Sequence, residues 1–248
     1  MRYFLVISYC GTKYHGWQRQ PNCLSIQQTI EDTISIILKQ KILLVAAGRT
    51  DAGVHAIKMF AHFDANINVE IESKLVGLIN NFLDYSISIK KIMKVIDNAH
   101  ARFDAISRTY KYKISFYKDP FRHERYFEIR NKFNFENIKT ATKCLLLYND
   151  FKSFSKTRSD AKNYLCDISK VDWKLKNDRA VFTITANRFL RNMVRAIVGT
   201  LIEVGKNKIS VDDFNNIIIQ RDRTKAGFSV PACGLYLVDV EYSKNIFL

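Results

Sequence analysis

Along Arg2–Tyr9 the positions Tyr3, Leu5 and Ile7 alternate with Phe4 and Val6, which predicts a strand. Residues 11–22, GTKYHGWQRQPN, are punctuated by Gly, Pro and Asn and predict a loop. Ser25 and Gln28 stand three apart and predict a capping box, opening a helix whose apolar stripe is Ile26, Ile30, Ile34 and Ile37. Residues 42–47 form a short apolar run that predicts a strand. A turn over residues 48–53 follows, then a strand from about Val54 to Phe63. Ile71, Leu75, Leu78, Ile79 and Phe82 recur at helical spacing. Residues 86–96 then predict a strand. The order is βαββαβ.

The second half repeats that order. Residues 108–116 alternate Tyr110, Tyr112, Ile114 and Phe116 with Lys111, Lys113 and Ser115. A loop containing Pro120 leads to a helix over about 135–148, and residues 164–175 and 179–187 predict strands. Leu190, Met193, Val194, Ile197, Val198, Leu201 and Ile202 form the most periodic segment, a helix with a buried apolar face. A further helix starts at Ser210, and residues 235–242 close as a strand. The fold class expected is α+β: two tandem RRM-like or ferredoxin-like units, residues 1–105 and 106–248, joined near 97–107. Their sheets would form one continuous, mostly antiparallel floor with helices behind and a central cleft. That element order hosts many functions, so the site residues must decide the chemistry.

The 248 residues include 39 Lys+Arg against 24 Asp+Glu, a net charge of +15, which favours a polyanionic partner and disfavours cationic substrates. Residues 1–105 hold 12 basic and 9 acidic residues, net +3, whereas residues 106–248 hold 27 and 15, net +12. The second half should therefore supply most of the attraction to a nucleic acid. No apolar run approaches the ~20 residues of a membrane span, and the start MRYFLVISYCGTKY has no apolar leader core. Cys10, Cys23, Cys144, Cys166 and Cys233 are widely spaced and never form CxxC, which predicts reduced thiols in a cytoplasmic protein. No Walker loop, GxGxxG or paired-histidine spacing occurs, so neither a cofactor nor a metal is expected.

One segment concentrates chemistry. Residues 46–56, AAGRTDAGVHA, place Arg49, Asp51 and His55 around Gly48 and Gly53 at a junction of two apolar strands. Two readings of Asp51 fit these residues. It could close a side-chain turn with Arg49 as ion-pair partner, or it could be a reactive carboxylate fixed in a tight turn.

GRTDAGVHA resembles the signature of the tRNA pseudouridine synthase TruA family. The resemblance extends to GWQRQ at 16–20, HARFDA at 100–105 with RTYKY at 108–112, DFKSFSK at 150–156, FLRNMVR at 189–195 with Val198-Gly199, and GLYL at 234–237. The matches run in order over about residues 5–242. The resemblance implies an isomerase that converts uridines 38, 39 and 40 of the tRNA anticodon arm to pseudouridine. It also implies a homodimer without cofactor or metal. It assigns Asp51 as the catalytic carboxylate, with attack at C6, attack at C1′ and support of a glycal intermediate all open. Arg195 is implied as the cation that keeps Asp51 ionised, and Tyr110 as the ring stacked on the target uracil. Arg49 would fill the space left by a uridine drawn out of its stack. Gln18, Arg19 and His55 are candidate RNA contacts, and Phe189 a wall of the uracil pocket. Lys and Arg residues in 108–130 and 152–162 are candidate phosphate contacts. Cys10, Asp84, Asn149 and Phe228 depart from the family pattern, in loops and outside the Asp51, Tyr110, Arg195 set.

Overall fold

The structure is a computed structural model that describes residues 1–130, 133–157 and 162–248, without the side chains of 69 and 70. The chain divides into two compact units, Met1–Ile106 with Tyr236–Leu248, and Ser107–Leu235. Each is mixed α+β with mostly antiparallel strands.

The first unit is built on β1 (Arg2–Tyr9), which the alternation predicts over the same residues. Both of its faces are apolar at the start, and both are buried: Tyr3, Leu5 and Ile7 on one side, Phe4 on the other. Such a strand belongs inside a sheet, and β1 lies between β4 (Ile87–Val95) and β3 (His55–Asp64), antiparallel to both. Phe4 meets the rings of Phe60, Tyr242 and Phe247 edge to face. The outer edge of β3 is shared. Its first residues, His55 and Ala56, pair in parallel with Tyr236 and Leu237 of the last strand, while its far end pairs with β2 (Val45–Ala46).

Helix α1 (Ile26–Leu38) starts where predicted, and Ser25 Oγ accepts the Gln28 N–H at 3.2 Å. Among the described residues the reciprocal capping box forms at Ser210 and Asp213 instead. The strand expected over 42–47 shrinks to two residues for a visible reason. The Leu44 N–H donates to the Glu31 carboxylate at 2.8 Å and the Ile42 N–H donates to Ser35 Oγ at 3.0 Å, so α1 takes the bonds a neighbouring strand would need. The alternation survives: Ile42, Leu44 and Ala46 are buried, Leu43 and Val45 exposed. The single helix expected around 71–82 is two, α2 (Val69–Glu72) and α3 (Leu75–Phe82), parted at Ser73–Lys74. Serine competes with the helical backbone for hydrogen bonds. Leu75 and Ile79 are buried, but Ile71, Leu78 and Phe82 are exposed.

In the second unit β5 (Ala105–Ser115), β8 (Arg179–Ala186) and β7 (Ile168–Lys176) form an antiparallel sheet in the order β5-β8-β7, with β6 (Phe127–Glu128) parallel to the end of β5. β5 begins three residues earlier than the alternation predicts. β7 begins four later, because residues 164–166 turn instead to the 149–151 segment. The Cys166 N–H donates to the Asn149 carbonyl at 2.8 Å and the Phe151 N–H to the Tyr164 carbonyl at 3.1 Å. Helix α4 (Phe135–Cys144) covers β7, where Trp173 Nε1 donates to Thr142 Oγ1 at 2.9 Å. Helix α5 (Met193–Gly205) is buried on nearly every side rather than on one face: only Arg195 and Glu203 reach partial exposure. A helix apolar all round is an interior helix. Then come α6 (Val211–Gln220) and β9 (Leu235–Tyr242), the strand whose start pairs with β3 in the first unit's sheet.

Candidate active site

The loop between β2 and β3 carries Asp51, and the residues that hold it come from the loop after β1. Tyr9 ends the buried Tyr3–Leu5–Ile7 face of β1, and its hydroxyl shares a 2.8 Å hydrogen bond with Thr50 Oγ1 in the interior. The Trp17 N–H donates to the Thr50 carbonyl at 3.1 Å, and the Gly53 N–H donates to the Tyr14 carbonyl at 3.4 Å. The Val54 N–H closes the turn on the Asp51 carbonyl at 3.2 Å, with Gly53 at φ +76°. Asp51 itself is half-buried, with exposed residues, Arg49 and Ala52, on either side of the Thr50–Asp51 pair.

Two glycines of the first loop make this contact possible. Gly16 sits at φ +90°, and a Cβ there would lie 2.5 Å from the Thr50 carbonyl oxygen. A Cβ on Gly11 would lie 2.0 Å from the Val54 carbonyl oxygen. The two loops therefore touch backbone to backbone, closer than any side chain permits. Gly48, by contrast, has open space around it and an ordinary φ, so the contact between the loops rests on Gly11 and Gly16.

His55 is interior, 1% exposed. Its Nδ1 accepts the Gly11 N–H at 3.2 Å and its ring stacks on Tyr236 at 4.6 Å, so the RNA contact expected of it gives way to a brace between the loop and β9. Arg19 is tied to α1 by ion pairs with Glu31 at 3.4 Å and Asp32 at 3.2 Å, while Gln18 is half-buried beside it. The departures Cys10 and Asp84 meet at one turn. The Cys10 N–H donates to the Ser86 carbonyl at 2.8 Å, Tyr14 and Ser86 share a hydroxyl hydrogen bond of 2.9 Å, and Asp84 accepts the Ser86 N–H at 2.9 Å.

In the second unit Tyr110 is half-buried on β5, opposite Ile184, and Phe189 meets its ring edge to face with centroids 5.1 Å apart. That perpendicular ring holds the phenol plane by quadrupole complementarity. Arg195, on the first turn of α5, donates through Nε to the Val230 carbonyl at 2.7 Å, while the Val230 N–H donates back to the Arg195 carbonyl at 3.2 Å. This two-way tether fixes the side chain's stem. The Tyr112 hydroxyl donates to the Pro231 carbonyl next along the same strap at 2.7 Å. Burial pushes the Tyr112 phenol far above the usual tyrosine range, Cys233 adds to the rise, and the nearby Arg195 charge opposes it. Of the basic residues expected to meet phosphate, Arg158 lies outside the described residues. Among the described residues, no group of three or more His, Cys, Asp or Glu is placed to hold a metal.

A tyrosine on a strand, a tethered arginine on a buried helix and a carboxylate on a clamped loop are the parts named by the sequence motifs, and the comparisons with known proteins decide what they belong to. A tRNA pseudouridine synthase A of Parabacteroides distasonis is 48% identical over 246 residues, covering 99% of this chain and 98% of its own length. The chain belongs to the tRNA pseudouridine synthase A family. A member from Bacteroides fragilis is also 48% identical, over 99% of this chain and 98% of its own, and one from Acetivibrio thermocellus is 39% identical over 96% and 98%. The family model described as tRNA pseudouridine synthase matches residues 148–243, the span of Arg195. Membership makes the chain an isomerase. Within the family motifs, sequence reasoning passed over Gly11, Gly16, Tyr9 and Thr50 as contributors. Gly11 and Gly16, on either side of Tyr14 and just before Trp17, carry the visible signal for the two glycines.

Proposed function

We propose that this isomerase converts uridine to pseudouridine at positions 38, 39 and 40 of the tRNA anticodon arm, as a cytoplasmic homodimer, with Asp51 as nucleophile. The reaction breaks the N1–C1′ glycosidic bond, turns the uracil and joins C1′ to C5. The C5 proton leaves and N1 gains one, so the composition of the base is unchanged. No redox step enters, and the chemistry asks the protein for a carboxylate, a fixed base plane and a fixed cation. Asp51 supplies the first, Tyr110 the second and Arg195 the third. Arg49, exposed two residues before Asp51, takes the place of the uridine in the stack, whose removal costs about a few kcal/mol. Phe189 holds Tyr110 edge to face and so walls the pocket. Gln18 and the basic residues of the second half meet the RNA backbone. Each unit is read as RRM-like; the order β4-β1-β3 with β2 outside β3 supports that reading for the first.

The observation that carries the proposal is the clamped loop. A catalytic carboxylate must hold one position while the base turns, and the 50–54 backbone is fixed by two hydrogen bonds from the neighbouring loop and by two glycine-limited contacts. The test is Asp51→Asn. The variant should bind tRNA as the wild type does, yet release no tritium from C5 of uridine and leave no pseudouridine at 38–40 when tRNA is mapped with and without the active protein. Turnover near wild type would sink the assignment.

A further inference from the structure

We propose that Tyr9 is a positioning residue for the isomerisation: through its buried hydrogen bond to Thr50 it sets where the next residue's carboxylate points. The proposal rests on the reading of Asp51 as the reacting group.

Three observations converge. First, Tyr9 is the end of an otherwise apolar buried face, and a buried phenol needs a partner. It finds one in Thr50 Oγ1, at 2.8 Å and out of contact with water. Second, the register of β1 against β3 shifts at this point. Ile7 pairs with Met59, but Tyr9 pairs with Ala56, so β3 carries one residue more than regular pairing allows. Such bulges re-aim a side chain at the end of a strand. Third, Trp17 packs against the Tyr9 ring, centroids 6.2 Å apart, while its own N–H donates to the Thr50 carbonyl. Thr50 is thus held through both its side chain and its main chain, and the peptide it shares with Asp51 has little freedom. The Trp17 and Gly53 backbone bonds keep the loop on the protein. The Tyr9–Thr50 bond, made side chain to side chain, adds the rotation of Thr50 about its own axis, and with it the plane of the peptide that carries Asp51.

The test compares Tyr9→Phe, Thr50→Val and the double variant with Thr50→Ser, which keeps a hydroxyl. Steady-state and single-turnover pseudouridine formation are measured on the intact protein, with thermal unfolding in parallel. A misaimed reacting group costs about ten- to hundred-fold in rate. Tyr9→Phe and Thr50→Val should therefore each lower kcat about tenfold or more, with KM for tRNA within twofold and a folded protein at the assay temperature. The double variant should be no slower than the slower single one, because one bond is removed either way. Thr50→Ser should recover most of the rate that Thr50→Val loses. A merely structural contact would lower the melting temperature and leave kcat of the folded enzyme unchanged. Wild-type kcat in Tyr9→Phe, a rise in KM instead, or additive losses in the double variant would overturn the positioning role alone. A wild type that makes no pseudouridine, or an Asp51→Asn that makes as much, would overturn the catalytic reading and this role with it.

Discussion

Gly16→Ala tests the clamp directly. Two separate costs follow from the geometry. Gly16 lies at φ +90°, where an L-residue loses about 1–3 kcal/mol. The new Cβ would also sit 2.5 Å from the Thr50 carbonyl oxygen and 3.1 Å from the Ala52 nitrogen, both main-chain atoms that cannot rotate aside. Relieving the closer contact requires about 0.5–1 Å of backbone movement, which lengthens the 3.1 Å Trp17–Thr50 hydrogen bond and forfeits about 0.5–1.5 kcal/mol. The sum is about 2–4 kcal/mol, or about 5–15 °C in melting temperature for a chain of this size. The same movement displaces the Asp51 main chain, and a misplacement near 1 Å costs about 100-fold in rate. Thermal unfolding and single-turnover tritium release, compared at a temperature where the variant is folded, read the two costs separately. A variant that keeps the wild-type melting temperature would refute the contact. One that is destabilised but turns over at the wild-type rate would refute the link between clamp and chemistry.

Arg195→Lys keeps the charge but loses the Nε donor to Val230, and should lower turnover at least tenfold with tRNA affinity within threefold in a binding titration; a wild-type rate would mean that the tether is idle. His62 makes stability depend on pH. Its imidazole is 5% exposed and Nδ1 accepts the Ala101 N–H at 3.1 Å, and burial first, then the Arg2 charge and His100, lower its pKa to about 4. Burial likewise lowers that of His100. Between pH 4 and 6.5 the unfolded chain binds the proton and the folded chain does not, so stability is full above pH 6.5 and falls as pH drops, by about 2 kcal/mol at pH 5. Urea unfolding at pH 7 and pH 5 should show that loss in the wild type and much less of it in His62→Gln; equal losses would refute it.

Much of the first unit was legible because its signals are local. A strand alternates within a few residues, so β1 is readable over its full length. The cap at Ser25 and the start of α6 after Ser210 are likewise local chemistry. The misreadings share a cause. The apolar period from Ile71 to Phe82 reports which side of a helix is apolar, but not whether anything covers it, and Leu78 and Phe82 stay exposed. Residues 42–47 have a strand's pattern, yet Ser35 and Glu31 claim the N–H groups of Ile42 and Leu44, and only Val45–Ala46 pair with β3. His55 reads as a polar residue in a functional motif, yet its partners are a main-chain N–H and a tyrosine ring from the other end of the chain.

By itself the sequence determined the α+β alternation, the basic bias of the second half, and the family motifs that hold the carboxylate, tyrosine and arginine to which the proposed chemistry is assigned. These rest on residue type and on spacing within one element. Tertiary structure alone decided that β9 pairs with β3 beside His55, and that Tyr9 and Thr50 share a buried hydrogen bond. It also decided that Gly11 and Gly16 press against the main chain of the Asp51 loop. Each of these joins atoms that lie far apart in the chain, where no periodicity links them. They exist only once burial has brought the segments together and the enclosed Tyr9 and Thr50 hydroxyls have had to find partners.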